Sequence, residues 1–189
     1  MDDLIEQKRL MRRHSATQRD RISPKTEGDL AVMFLSVPLP RQKLVVSGYH
    51  PIGSEIDPRP LLAKLRRVGH SVALPVVVEK STPLLFREWN EGDPMSSGPF
   101  GVREPLPGSM EATPNVLLVP LLAFDRRGYR LVYGGGFYDR TLTKLRKQGA
   151  PLAVGVGFAV QEVDAVPVAE YDQPLNWIVT EREAIEIGA

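Results

Sequence analysis

The feature that most constrains this chain is a regular exchange of short apolar runs with segments of helical spacing. Leu44 to Tyr49, Ser71 to Val78, Val116 to Phe124 and Leu152 to Phe158 have strand length and little alternation, as strands do when both faces are covered. Between them, Pro58 to Val68 puts Leu61, Leu62 and Leu65 on one side and stops at Gly69, and Phe137 to Lys147 is closed by Gly149. The alternation predicts an α/β fold: a mostly parallel sheet with helices on both faces, three layers in all. Three further elements complete the reading. Leu30 to Leu39 is a helix stopped by Pro38 and Pro40, Pro83 to Trp89 pairs beside the second strand, and Trp177 to Val179 is a last short strand. The stretch from Glu91 to Pro114 is rich in Gly, Pro and Ser and reads as a long loop excursion. Residues 3 to 22 carry Leu4, Met11 and Ile22 among many charges, which predicts a largely exposed helix ending before Ser23-Pro24.

Length supports one core, so residues 1–189 are read as a single domain. The absence of cysteine excludes disulfides, thiolate metal sites and thiol nucleophiles, and fits a reducing compartment. His14, His50 and His70 are too scattered to suggest a zinc cluster. The run Val116 to Phe124 is too short to span a bilayer and the first residues are charged, so a soluble, cytoplasmic protein without membrane contact is expected. No feature fixes the oligomeric state, and a monomer is the working expectation. Net charge is only +1. Arg9, Arg12, Arg13, Arg19 and Arg21 alternate with Asp2, Asp3, Glu6 and Asp20, which leaves a small net field and argues against a nucleic-acid partner.

The chemistry concentrates at Gly134-Gly135-Gly136, between the apolar run ending in Phe124-Asp125 and the helix starting near Phe137. Three residues without Cβ let backbone N–H groups approach a bulky anion, and a helix amino terminus adds its positive end. Arg130 and Arg140 flank the triplet. It is neither a Walker A loop nor a G-x-G-x-x-G dinucleotide fingerprint. On spacing alone, an anion cradle and a plain tight turn are equally good readings.

The whole segment from Val119 to Arg140, VPLLAFDRRGYRLVYGGGFYDR, closely resembles the signature of the 5-formyltetrahydrofolate cyclo-ligase family. The similarity extends to Lys8-x-x-x-Arg12, Glu55-Ile56-Asp57, Phe100 to Pro105, Gly155 to Gln161 and Ile178 to Glu181, nearly the full chain. It implies a fold similar to sugar-phosphate isomerases and CoA transferases. It also implies an ATP- and Mg²⁺-dependent ligase that closes 5-formyltetrahydrofolate to its methenyl form, with folate and ATP as small-molecule partners. Catalytic roles then fall on Lys8, Arg130 and Tyr138. Nucleotide contacts fall on Lys8, Arg12 and the run Arg130, Leu131, Val132, Tyr133, Gly134, Gly135, Gly136, Phe137 and Tyr138. Folate contacts fall on His50, Glu55, Phe100, Tyr133 and Phe137, and Mg²⁺ on Asp139 and Asn176. Read without the family, Lys8 and Arg12 are a solvated basic face, Glu55 and Asp139 are charges at helix starts, and the aromatic residues are local core. Asp125 is a second acidic candidate or a turn cap.

Three departures from the family pattern stand out. Val132 replaces a glycine, and a β-branched residue resists positive φ, so the loop is expected to be reshaped if that conformation is required. Tyr171 stands in place of a histidine and Asn176 in place of an aspartate, while Asp172 is kept. An uncharged Asn176 predicts weaker metal binding. These changes leave a second class open: a folate- or nucleotide-binding relative with weak or no turnover.

Overall fold

The computed structural model describes residues 2–22 and 27–188. Five strands with their helices set the frame. Strand β1 (Val45–Ser47) leads through α3 (Arg59–Arg67) to β2 (Ser71–Val76), following the helices α1 (Asp2–Arg19) and α2 (Glu27–Met33). Strands β6 (Val116–Pro120) and β9 (Leu152–Val156) are joined across α4 (Phe137–Arg146), and β10 (Trp177–Val179) follows. All five of these strands run parallel. Antiparallel strands β3 (Leu85–Glu88) and β11 (Ala184–Glu186) close the edges, giving the order β11-β10-β9-β6-β1-β2-β3. The expected α/β architecture is observed, with the expected partner for β2 at Leu85–Glu88. No helix among the described residues is long and apolar enough to cross a membrane.

Both faces of the sheet are covered, which explains the unbroken apolar strands. On one face Leu61, Leu62 and Leu65 of α3, with Leu30 and Phe34, pack on Val46, Val72, Leu118 and Val154. On the other, Leu142 and Leu145 of α4 pack on Leu117, Val119, Ala153 and Ile178. Each such fully buried leucine contributes about 1.5–3 kcal/mol of transfer free energy. Gly155 lies where a Cβ would meet Leu175 at 2.6 Å, so close packing accounts for that glycine.

Three expectations change. The run Val116 to Phe124 is two strands, not one: after Pro120 the Leu121 N–H still bonds Val156, but the Leu122 N–H bonds Leu131 instead. The chain thereby leaves the main sheet and forms a hairpin of β7 (Ala123–Phe124) with β8 (Arg130–Leu131). The excursion after Glu91 contains a second hairpin, β4 (Met95–Ser97) with β5 (Arg103–Pro105). Helix α1 is not merely exposed; Ser15 and Arg19 on it are buried, and it packs on β7 and on the 3₁₀ turn Ala159–Gln161. Its expected stop at Ser23-Pro24 lies outside the described residues.

Strand order reverses between β1 and β6: chain direction proceeds outward from β1 on one side and from β6 on the other. Crevices at such reversals, beyond the carboxyl ends of the strands, are where open α/β sheets bind ligands.

Candidate functional site

Helix α1 supplies the cationic wall of this crevice. Lys8, Arg12, Ser15 and Arg19 recur at helical spacing, and the structure turns that polar stripe inward. Lys8 Nζ pairs with Asp172 Oδ2 at 2.5 Å, both side chains only about one-tenth exposed, and stands 5.8 Å from the centre of the Tyr171 ring. Arg12 Nε donates to the Val132 carbonyl at 2.9 Å. A Cβ on Gly134 would lie 3.3 Å from Arg12 Cζ, so the guanidinium rests directly on the glycine loop. Burial weakens the hold of Arg12 on its proton relative to a solvated guanidinium, while the nearby Asp172 and Tyr171 act in the opposite direction.

The loop itself needs its glycines. Gly134 has φ +98° and Gly136, which caps α4, has φ +64°, both in the region L side chains avoid. Among the described residues only Ser81 and Ala150 take positive φ without being glycine, so Val132 keeps an ordinary backbone. The replacement of glycine at 132 is therefore accommodated without left-handed strain, and its carbonyl has a partner in Arg12. Leu131 is buried in the β7–β8 core, Phe137 packs at the edge of the main core, and Arg140 lies 5.4 Å over the Phe137 ring.

Beneath the loop, Arg130 is fixed from two sides. It donates to the Gln173 carbonyl and, at 2.9 Å, to Asp139 Oδ1, which also accepts from the Gln173 N–H at 3.0 Å. Its Nε is buried without a partner among the described residues. Tyr138 stands between charges of opposite sign: burial and Glu55 push its hydroxyl well above the usual range, and Arg130 pulls the other way. Glu55 is likewise raised by burial, against the Ile52 N–H at 2.8 Å and the charge of Arg19. Arg19 completes this group, donating to Ser54 Oγ at 3.0 Å and to the Tyr133 hydroxyl at 3.2 Å.

Not every expected site residue joins the constellation. Lys8, Arg12, Glu55, Arg130, Tyr133, Gly134, Tyr138 and Asp139 form one connected region through the contacts above. His50 instead lines a cavity of about 560 Å³ with Asp57, Trp89 and Arg103, and burial together with Arg59 lowers its pKa. Phe100 sits in a short turn, Pro99–Gly101, and its side chain lies outside the described residues. Asn176 is committed to the sheet: its Oδ1 accepts from the Ala153 N–H at 2.8 Å, and its backbone pairs with Ala153 and Ile187. Asp125, fully buried, accepts from the backbone of Arg127, Tyr129 and Val166 and so caps the β7–β8 turn.

Asp139 fits a divalent cation better. Its Oδ1 takes both hydrogen bonds, leaving Oδ2 as the oxygen for a metal. Asp139 also lines a cavity of about 660 Å³ with Gly136, Arg140, Lys144 and Tyr171. One carboxylate beside an anion-sized space is the arrangement in which Mg²⁺ is held jointly by protein and phosphate.

A sequence profile of the 5-formyltetrahydrofolate cyclo-ligase family matches residues 3–181. The chain belongs to this family. Among relatives, the 5-formyltetrahydrofolate cyclo-ligase of Haemophilus influenzae is 34% identical over 71% of this chain and 74% of its own length. That of Escherichia coli K12 is 37% identical over 67% and 71%. The NMR structure of Aquifex aeolicus 5,10-methenyltetrahydrofolate synthetase superposes with a TM-score of 0.78 at 26% identity, covering 96% of this chain and 93% of that one. The cyclo-ligase signature thus coincides with the glycine loop, and the family match reaches through α1 to the last parallel strand. The residue that motif reading passed over is Arg19. Its signal was present as the fourth member of the polar stripe at positions 8, 12, 15 and 19.

Proposed function

We propose that this chain converts 5-formyltetrahydrofolate to 5,10-methenyltetrahydrofolate, consuming ATP with Mg²⁺ and releasing ADP and phosphate. The observation that carries the reading is the Arg12 guanidinium of α1 resting on Gly134 in the bare Gly134–Gly136 backbone at the amino terminus of α4, with Lys8 one helical turn away beside Asp172 and Tyr171. Backbone N–H groups, a helix dipole and two cations together make a triphosphate site. In the reaction the formyl oxygen attacks the γ-phosphoryl group and ADP leaves; N10 attacks the activated carbon, and loss of phosphate closes the bridge. An amide-like oxygen is a weak nucleophile, so the protein's contribution is alignment and neutralisation of charge.

The geometry supports a role for each residue in this scheme. Lys8 and Arg12 hold the phosphate tail, and the buried, prealigned Arg130 faces charge developing on the transferred group. Tyr138, whose hydroxyl keeps its proton at neutral pH, is a hydrogen-bond donor rather than a base. Glu55 accepts from the pterin N–H and amino group as a paired acceptor. Mg²⁺, when bound at Asp139, neutralises phosphate oxygens and orients them. The test is the near-ultraviolet absorbance of the methenyl product with purified protein, 5-formyltetrahydrofolate and MgATP. Product formation that requires both ATP and Mg²⁺ supports the proposal. Folate binding without product supports the sequestering relative instead.

A further inference from the structure

The Arg19 guanidinium is the most buried cation that the reaction scheme above leaves without a task. It comes from the last turn of α1 and is 4% exposed. Its Nε and Nη2 are bonded to Ser54 and Tyr133, but Nη1 is buried with no hydrogen-bond partner among the described residues. The nearest acid, Glu55 Oε1, is 4.0 Å away, attractive but beyond a hydrogen bond. Glu55 is anchored through its other oxygen, Oε2, by the Ile52 N–H. The Tyr133 hydroxyl, which accepts from Arg19, is also hydrogen-bonded to the Glu55 carboxylate. A buried charged donor with an unpartnered N–H is expensive for a fold to maintain, unless a ligand supplies the missing partner.

We propose that Arg19 Nη1 and Glu55 Oε1 read the amide edge of the substrate's pterin ring together. Arg19 donates to the ring carbonyl, and Glu55 accepts from the adjacent ring N–H. The assignment rests on the folate reading above and adds a specificity residue to it. A donor next to an acceptor complements a carbonyl next to an N–H. It opposes a ring edge that presents an amino group next to an unprotonated nitrogen, where donor meets donor and acceptor meets acceptor. Tyr133 is half exposed while the pair beneath it is buried, so its hydroxyl is the group an entering ring displaces. The stripe on α1 then serves both ligands: Lys8 and Arg12 at the nucleotide end, Arg19 at the folate end.

The experiment compares equilibrium binding of 5-formyltetrahydrofolate and of a 2,4-diaminopteridine analogue with the same tail. Both are titrated into wild type, Arg19→Gln and Arg19→Lys, with melting temperature and affinity for an ATP analogue as folding controls. Wild type should prefer the 4-oxo ligand, and Arg19→Gln should lose about ten- to hundredfold in folate affinity while the diamino ligand changes less than about threefold. Arg19→Lys should restore part of the preference, since it returns charge without the fork. Equal weakening of both ligands, or a wild type indifferent between them, overturns the assignment. A wild type that binds neither pteridine removes the folate reading and this inference with it. Should Arg19→Gln fail to fold, the preference of the wild type between the two ligands decides alone.

Discussion

Replacing Gly134 with alanine separates a phosphate cradle from an ordinary turn. At φ +98° an added Cβ costs about 1–2 kcal/mol of backbone strain. The new methyl would sit 3.3 Å from Arg12 Cζ and 3.4 Å from Nη2, so the guanidinium must shift by a few tenths of an ångström. That shift stretches the 2.9 Å bond from Arg12 to the Val132 carbonyl, worth about another 1 kcal/mol. Gly69 provides the matched control, with φ +101° and nothing within 4 Å of an added methyl, so Gly69→Ala carries the strain without the collision. Urea denaturation should show a loss of about 2–3 kcal/mol for Gly134→Ala and about 1–2 kcal/mol for Gly69→Ala. Steady-state kinetics should show the KM for ATP rising about tenfold or more in Gly134→Ala, equivalent to about 1.4 kcal/mol of binding, with the KM for folate within about threefold. Gly69→Ala should leave both constants unchanged. If Gly134→Ala loses the expected stability and keeps its KM for ATP, the loop is a turn and does not hold phosphate.

Other perturbations test separate parts of the account. Lys8→Ala should raise the KM for ATP more than that for folate, and the reverse ranking would remove Lys8 from the nucleotide end. Asn176→Asp should leave the Mg²⁺ dependence of turnover unchanged, because the side-chain oxygen is engaged by Ala153; a lower Mg²⁺ requirement in the variant would return position 176 to the metal site. Glu104 is 5% exposed, accepts from the Val77 N–H at 3.0 Å, and is raised by burial above the ordinary 4.5. A raised carboxyl means that the fold binds this proton more tightly than the unfolded chain does; the resulting stability is complete below about 4.5 and is lost as pH rises through the folded value. Glu104→Gln should therefore gain stability relative to wild type between about pH 4 and 7 in urea titrations, and a difference independent of pH would contradict this.

Much of the frame was legible because burial on both faces leaves an unmistakable trace. Strands such as Leu117-Leu118-Val119 have no solvent face to encode, and α3 shows its inward stripe at Leu61, Leu62 and Leu65. The glycine triplet was legible because glycine takes φ +98° and +64° at the least cost and leaves room for the two arginines packed against it. What escaped was written in polar residues or in too few apolar ones. The inward face of α1 carries Lys8, Arg12, Ser15 and Arg19, so a search for apolar periodicity saw only a solvated helix. Strand β11 has one buried residue, Ile185, too little for a pattern. The division after Pro120 depends on which strand accepts the next N–H, Val156 or Leu131, and that is decided by tertiary pairing. The fate of Asn176 was equally hidden: nothing local reveals that its carbonyl oxygen is spent on Ala153.

The central claim is that the backbone of Gly134–Gly136, with Lys8 and Arg12, holds the phosphate tail of ATP. A crystal structure with a non-hydrolysable ATP analogue and Mg²⁺ tests it most directly. The account predicts phosphate oxygens within hydrogen-bond distance of the loop N–H groups and of both cations, with the metal on Asp139. Phosphates bound elsewhere, with Lys8 still closed on Asp172 and Arg12 on Val132, would contradict it.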